Sequence, residues 1–232
     1  GRFMPADVAA PKRQSLLESI KGVSKSEKRR AEAITQAKLL LEQAASAEPA
    51  EAVLLLTEAV SLRPGDAVYF EARARALHAN GDPRRALYDW SMAVQLEPAC
   101  LSHRMRRAAV YQVVDDPVRA IDDFTEAIRL AVGADAAPST LGGIHAARGA
   151  AHAEAGRLED AAVDLGAAAS LLAAEDSARA HEQHGDCLRR LGRPADAAAA
   201  FRRALSGASD KWSRAPAVRR ALTAALREAG QA

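Results

Sequence analysis

Small and large apolar residues recur along this chain in a fixed order and at a nearly fixed interval. The segments AEAVLLLTEAVSLRP, RRALYDWSMAVQLEP, VRAIDDFTEAIRLAV, EDAAVDLGAAASLLA and ADAAAAFRRALSGAS align on Ala52, Ala86, Ala120, Ala161 and Ala197, at spacings of 34, 34, 41 and 36 residues. Seven residues after each comes a second alanine: Ala59, Ala93, Ala127, Ala168 and Ala204. Between the two sits one large apolar residue: Leu56, Trp90, Phe124, Leu165 or Phe201. Upstream, a small residue recurs as Ala74, Ala108, Gly149 and Gly185, with Leu40 in its place in the first unit. Three residues further on come Gln43, Leu77, Tyr111, His152 and Leu188, then a turn residue: Ala47, Gly81, Asp115, Gly156 and Gly192.

This pattern predicts two helices per unit joined by a tight turn. Glycine suits the left-handed conformation that ends a helix. Proline opens the following helix in GDPRRA and GRPADA, where its missing N–H costs nothing. The small residue and the first aligned alanine are expected to let the two helices cross closely, while the large residue plugs the gap to a neighbour. One hairpin alone has too little core, so such units are stable only when stacked. Ser24 and Glu27 have capping-box spacing and predict a first repeat helix over residues 25–46.

The segments AVYFEARARALHANGDPRRALYDWSMAVQLEP and LSHRMRRAAVYQVVDDPVRAIDDFTEAIRL resemble the tetratricopeptide repeat, whose period is 34. Units are read at 33–66, 67–100, 101–134, 142–175 and 178–211. The resemblance implies an all-α fold: an α-solenoid of about five tetratricopeptide helix hairpins forming a right-handed superhelix. The domain plan is a basic N-terminal extension (1–24), partly disordered, the repeat domain (25–211) and a C-terminal capping helix (212–232). In the extension, QSLLESIKGV has Leu16, Leu17 and Ile20 on one helical face. In the last segment, Val218, Leu222 and Leu226 share a face that would cover the open end of the stack. The extra residues 135–141, ADAAPST with its neighbours, are expected to form a longer loop and a break in superhelical regularity.

Composition agrees with helices. There are 57 alanines in 232 residues, and aromatics make up only 4%. Alanine has the best helix propensity. The net charge is +2, with basic ends around a mildly acidic body. Basic ends could meet nucleic acid, an anionic surface or an acidic partner, but the plain reading is solvated termini. Cys100 and Cys187 form no CxxC and are read as having no ligand spacing, which suggests a reducing compartment. A chain that begins at Gly1 reads as a processed form or a trimmed fragment, so a targeting segment is not excluded. The localisation expected is intracellular, in the cytoplasm or within a large cytoplasmic or organellar assembly.

No phosphate-binding glycine loop, HExxH or GxSxG is present, and no catalytic residue, metal site or cofactor is expected. His145, His152, His181 and His184 fall on first helices of units four and five. His181 and His184 are three apart, but they occupy positions the repeat fills for packing. Arg73 with Asp89, Arg107 with Asp123, and Arg148 with Asp164 recur at matching positions, while unit one has Leu39 and Leu55 and unit five has His184 and Ala200. The two positions change together, so they are read as a recurring Arg–carboxylate bridge with a structural role. The arginines of HRMRR are a further nucleic-acid cue, and no repeated base-reading pair supports it.

In tetratricopeptide proteins the first helices line the concave face, which implies a groove for a peptide or helix. The positions that packing leaves free are Glu71, Arg75, His78, Met105, Ala109 and Gln112 in units two and three, Gly143, Ala146, Ala150 and Ala153 in unit four, and Glu182, Asp186 and Arg189 in unit five. The groove positions that bind chaperone carboxylates in some relatives correspond to Ala37, Leu41, Ala72, Ser102 and Arg106, of which only Arg106 is basic, so that role is disfavoured. The function implied is a scaffold or adaptor, a subunit of a larger assembly that binds a protein partner. The alternatives are a transient peptide-binding regulatory receptor, or an accessory module of an enzyme whose catalytic part lies elsewhere. Nucleic acid, a small-molecule ligand and a membrane span are not expected.

Overall fold

A computed structural model describes residues 24–209 and 212–230. The expectations for the N-terminal extension over residues 1–23 lie outside the described residues. The described chain is helical throughout, without strands: α1 (Lys25–Ala44), α2 (Pro49–Leu62), α3 (Ala67–Ala79), α4 (Pro83–Leu96), α5 (Leu101–Val113), α6 (Pro117–Gly133), α7 (Pro138–Glu154), α8 (Leu158–Leu171), α9 (Ala174–Arg190), α10 (Pro194–Gly207) and α11 (Ala215–Glu228). Each helix packs chiefly on its neighbours in the chain, the contact pattern of a solenoid. None is long and apolar enough to cross a membrane.

Local chemistry sets the helix ends. Ser24 accepts from the Glu27 N–H at 3.2 Å, and the Glu27 carboxylate accepts from the Ser24 N–H at 2.7 Å. Both halves of the capping box are therefore made, although α1 ends at Ala44, earlier than the spacing implied. Asp66, Asp82 and Asp116 cap α3, α4 and α6 by accepting backbone N–H groups. The turn residues Gly81, Asp115, Gly156 and Gly192 all have positive φ, at 79°, 61°, 74° and 72°. Unit one lacks such a residue, and residues 45–48 close its turn with one more residue than the other hairpins use.

The aligned alanines of α2, α4, α6, α8 and α10 are all buried, as are the large residues between them. In units four and five the upstream glycine lies beneath the large residue of its own unit. A methyl group on Gly149 would stand 2.8 Å from Leu165 Cγ, and one on Gly185 2.6 Å from Phe201 Cε1. A bulky ring and a bare backbone fill one crossing between them, which is why size alternates across the hairpin.

The expected long loop at 135–141 is not formed. α6 runs 17 residues against 14 in α4, and α7 runs 17 against 13 in α5. The connection at 134–137 is no longer than the one at 97–100. The seven extra residues are thus absorbed as helix on both sides, consistent with their alanine content. At the end of the stack, Val218 and Ala225 of α11 are buried, and Leu222 and Leu226 pack against the cluster around Phe201 and Leu188.

Candidate functional site: the first-helix groove and its supports

The three Arg–Asp pairs meet, each joining the first helix of a hairpin to the second. Arg73 donates through Nε and Nη2 to the two oxygens of Asp89, both at 2.8 Å. In Arg107–Asp123 and Arg148–Asp164 all four distances are 2.7 Å. The carboxylates are almost wholly buried, with Asp89 at 1%, Asp123 at 4% and Asp164 at 3% exposure. Planar guanidinium and carboxylate fit edge to edge, so the bonds are strong as well as directional. Burial by itself would raise the Asp164 pKa, but bonds from Arg148 and from His145 Nδ1, the latter at 2.9 Å, hold it below the usual carboxylate value. Arg73 and Arg148 also donate to Thr57 and Thr125 of the preceding unit, tying hairpin to hairpin.

Among the groove positions, Arg75 and His78 of α3 are exposed and line a cavity of about 200 Å³ with Arg106, Ala109 and Val113 of α5. Trp90 and Val110 form its floor. Arg75 also borders a second cavity of about 340 Å³, whose other walls are apolar: Leu41 and Ala44 of α1, Leu56 of α2, and Ala72, Ala76 and Ala79 of α3. Glu71 is half-buried and pairs with Arg75 on one side and His103 on the other. In the second half, Gly143 and Ala146 of α7 face Arg179, Ala180 and Gln183 of α9 across a cavity of about 350 Å³. Ala150 is half-buried.

Other groove positions are engaged in packing. Met105 is half-buried against the α6–α7 core, and Gln112 donates to Glu154 at 3.1 Å. Glu182 is only 5% exposed, and Arg214, just before α11, holds its carboxylate through bonds of 2.6 and 2.7 Å. Arg189, itself exposed, meets Glu228 of α11 at 3.5 Å, and Asp186 stays exposed on the same helix. Glu182 therefore anchors the terminal helix and is not an open groove position, whereas Arg189 and Asp186 remain exposed. Nothing in the 34-residue pattern identified Arg214, because it lies beyond the repeats.

Two of the arginines in HRMRR are also engaged. Arg107 holds Asp123, and Arg104 donates to the Pro98 carbonyl at 3.2 Å and lies 3.7 Å from Asp123. Burial lowers the pKa of His181 and of His184. Metal-ligating side chains converge elsewhere, at Glu97, Cys100 and His103 around the α4–α5 turn. This set mixes residue types across a helix boundary, so a search for paired histidines passes over it.

No family model matches the sequence, and no curated protein matches it either. Solved structures do match in fold. YrrB, described as a tetratricopeptide-repeat protein with an unusual peptide-binding site, superposes with a TM-score of 0.60 at 20% identity, covering 76% of this chain and 84% of its own. MamA from Desulfovibrio magneticus RS-1 gives 0.61 at 20% identity, over 77% of this chain and 94% of that one. The thermophilic tetratricopeptide-repeat protein TTC0263 of Thermus thermophilus gives 0.51 at 20% identity, over 84% and 99%. The 34-residue register, the eleven stacked helices among the described residues and these superpositions together show that the chain has the fold of tetratricopeptide-repeat solenoids.

Proposed function

We propose that this chain is a protein-binding scaffold, and that it receives an apolar peptide or helix bearing a carboxylate in the groove formed by α1, α3 and α5. The observation that carries this reading is the position of Arg75. It stands between an apolar cavity of about 340 Å³ and a second of about 200 Å³ that also presents His78 and Arg106. Apolar walls supply non-directional affinity, and the cationic rim of Arg106 and Arg75, the latter keeping donors beyond the one it gives Glu71, selects a carboxylate beside the apolar anchor. The peptide-binding site named for YrrB lends support by fold alone. The engaged arginines of HRMRR weigh against a nucleic-acid surface.

The test is selection of displayed random peptides on the whole chain, followed by affinity measurement on variants. The expected peptides combine bulky apolar residues with Asp or Glu. Arg75→Glu and Ala79→Asp, both at exposed positions, should each weaken binding at least about tenfold, or roughly 1.4 kcal/mol. Val163→Asp, on the exposed side of α8, should leave it unchanged. Peptides that bind the two groove variants as well as the parent would overturn the assignment.

A further inference from the structure

Glu97, Cys100 and His103 each offer one coordinating atom, and all three atoms lie within 4.8 Å of one another. The turn between α4 and α5 brings them together. Glu97 caps the end of α4, Cys100 is the N-cap of α5, and the Cys100 N–H donates to the Glu97 carbonyl at 3.0 Å. His103 follows three residues later in the first turn of α5, on the same helical face as Cys100.

His103 is only 2% exposed, and its two ring nitrogens are treated differently. Nε2 lies 3.2 Å from Glu71 Oε2. A carboxylate only accepts, so Nε2 carries the ring proton and donates it. Nδ1 then presents a lone pair. It is buried with no hydrogen-bond partner, and Glu97 Oε2 stands 3.8 Å away. Two acceptors face each other across that gap, with a thiol beside them. The Cys100 sulfur is 3.2 Å from the Ser102 hydroxyl, a donor suited to a thiolate.

We infer that Glu97, Cys100 and His103 bind one Zn²⁺ ion, with Glu71 as the carboxylate that orients the imidazole. Thiolate, imidazole nitrogen and carboxylate together suit zinc, whereas calcium and magnesium prefer oxygen ligands alone. Three protein ligands leave a fourth position for water. A carboxylate on the far ring nitrogen of a metal-bound histidine is the usual second-layer arrangement, and Glu71 provides it. On binding, the Cys100 S–H bond breaks, its proton passes to solvent and a sulfur–metal bond forms, with no change in oxidation state. The ion joins the end of α4 to the start of α5, and through Glu71 it reaches α3. It therefore clamps unit two to unit three.

The test is titration of the whole chain with Co²⁺ as a spectroscopic probe, followed by Zn²⁺. The expected result is a thiolate-to-cobalt charge-transfer band in the near ultraviolet that saturates at one equivalent and disappears when Zn²⁺ displaces the probe. Trp90, whose ring centroid is 6.1 Å from that of His103, should be quenched as cobalt binds. Cys100→Ser should abolish the band, and Cys187→Ala should keep it. Glu97 is more than half exposed, so Glu97→Gln should fold normally and lower Zn²⁺ affinity at least about tenfold. Glu71→Gln, which touches no metal, should weaken Zn²⁺ about ten- to a hundredfold. A parent protein without the band, or a band that survives Cys100→Ser, overturns the site and leaves His103 as an imidazole held between two carboxylates.

Discussion

Arg107 and Asp123 meet edge to edge across the third hairpin, with Nε and Nη2 each 2.7 Å from a separate carboxylate oxygen. The guanidinium carbon also lies 5.9 Å from the centre of the Tyr111 ring. Asp123 is 4% exposed, so removing one partner strands a buried charge. Arg107→Met and Asp123→Leu should each cost about 3–5 kcal/mol, and combining the two should recover most of the loss. Urea denaturation of the four proteins gives the coupling energy. A value near zero would mean that the pair contributes nothing beyond separate packing.

Gly185 separates packing from helix propensity. Alanine is favoured over glycine in a helix by about 1 kcal/mol, so on propensity alone Gly185→Ala should stabilise. The added methyl would lie 2.6 Å from Phe201 Cε1, and Phe201 is fully buried and cannot swing away. Gly185→Ala should therefore destabilise by roughly 1–3 kcal/mol. Gly143→Ala, with nothing within 4 Å of the new methyl, should stabilise by about 1 kcal/mol. Equal Tm shifts of the same sign in the two variants would contradict the crossing described above.

His184 should give the solenoid a pH dependence. Burial lowers its pKa from the ordinary 6.5, with further lowering by His181, Arg193 and Arg203 and an opposing effect from Asp196. The unfolded chain then takes up a proton before the folded one does as pH falls. Stability from keeping His184 neutral is therefore complete above pH 6.5 and declines as the pH drops below that value. Thermal melts at pH 7.5 and 5.0, about one unit and more on either side of it, should show a smaller fall in His184→Gln than in the parent. The same fall in both proteins would assign the effect to other groups.

The hairpin register was legible in the sequence because steric demand at a helix crossing is local and unforgiving. Ala86, Ala120, Ala161 and Ala197 have no exposed surface, and a larger side chain at such a place has no room. Caps and turns were legible for a similar reason, since Ser24 with Glu27 and the positive-φ positions at Gly81, Gly156 and Gly192 depend on a few adjacent residues. Even the Arg–Asp bridges could be read, because both members repeat at the same offset.

Other features became visible only in three dimensions. The seven extra residues before unit four looked like a loop, but they extend α6 and α7 as helix, with Ala131 and Leu141 joining the cluster around Phe124 and Ile144. Glu182 looked free until α11 folded back and Arg214 reached it. Glu97, Cys100 and His103 belong to two helices and the turn between them, and the meaning of His103 depends on Glu71, 32 residues earlier. The sequence by itself determined the unit, its length and the residues that hold its two helices together, because those interactions repeat within about 34 positions. The tertiary structure decided which side chains remain open, how the stack ends and where donors converge, because these depend on the relative placement of successive units, which no single repeat encodes.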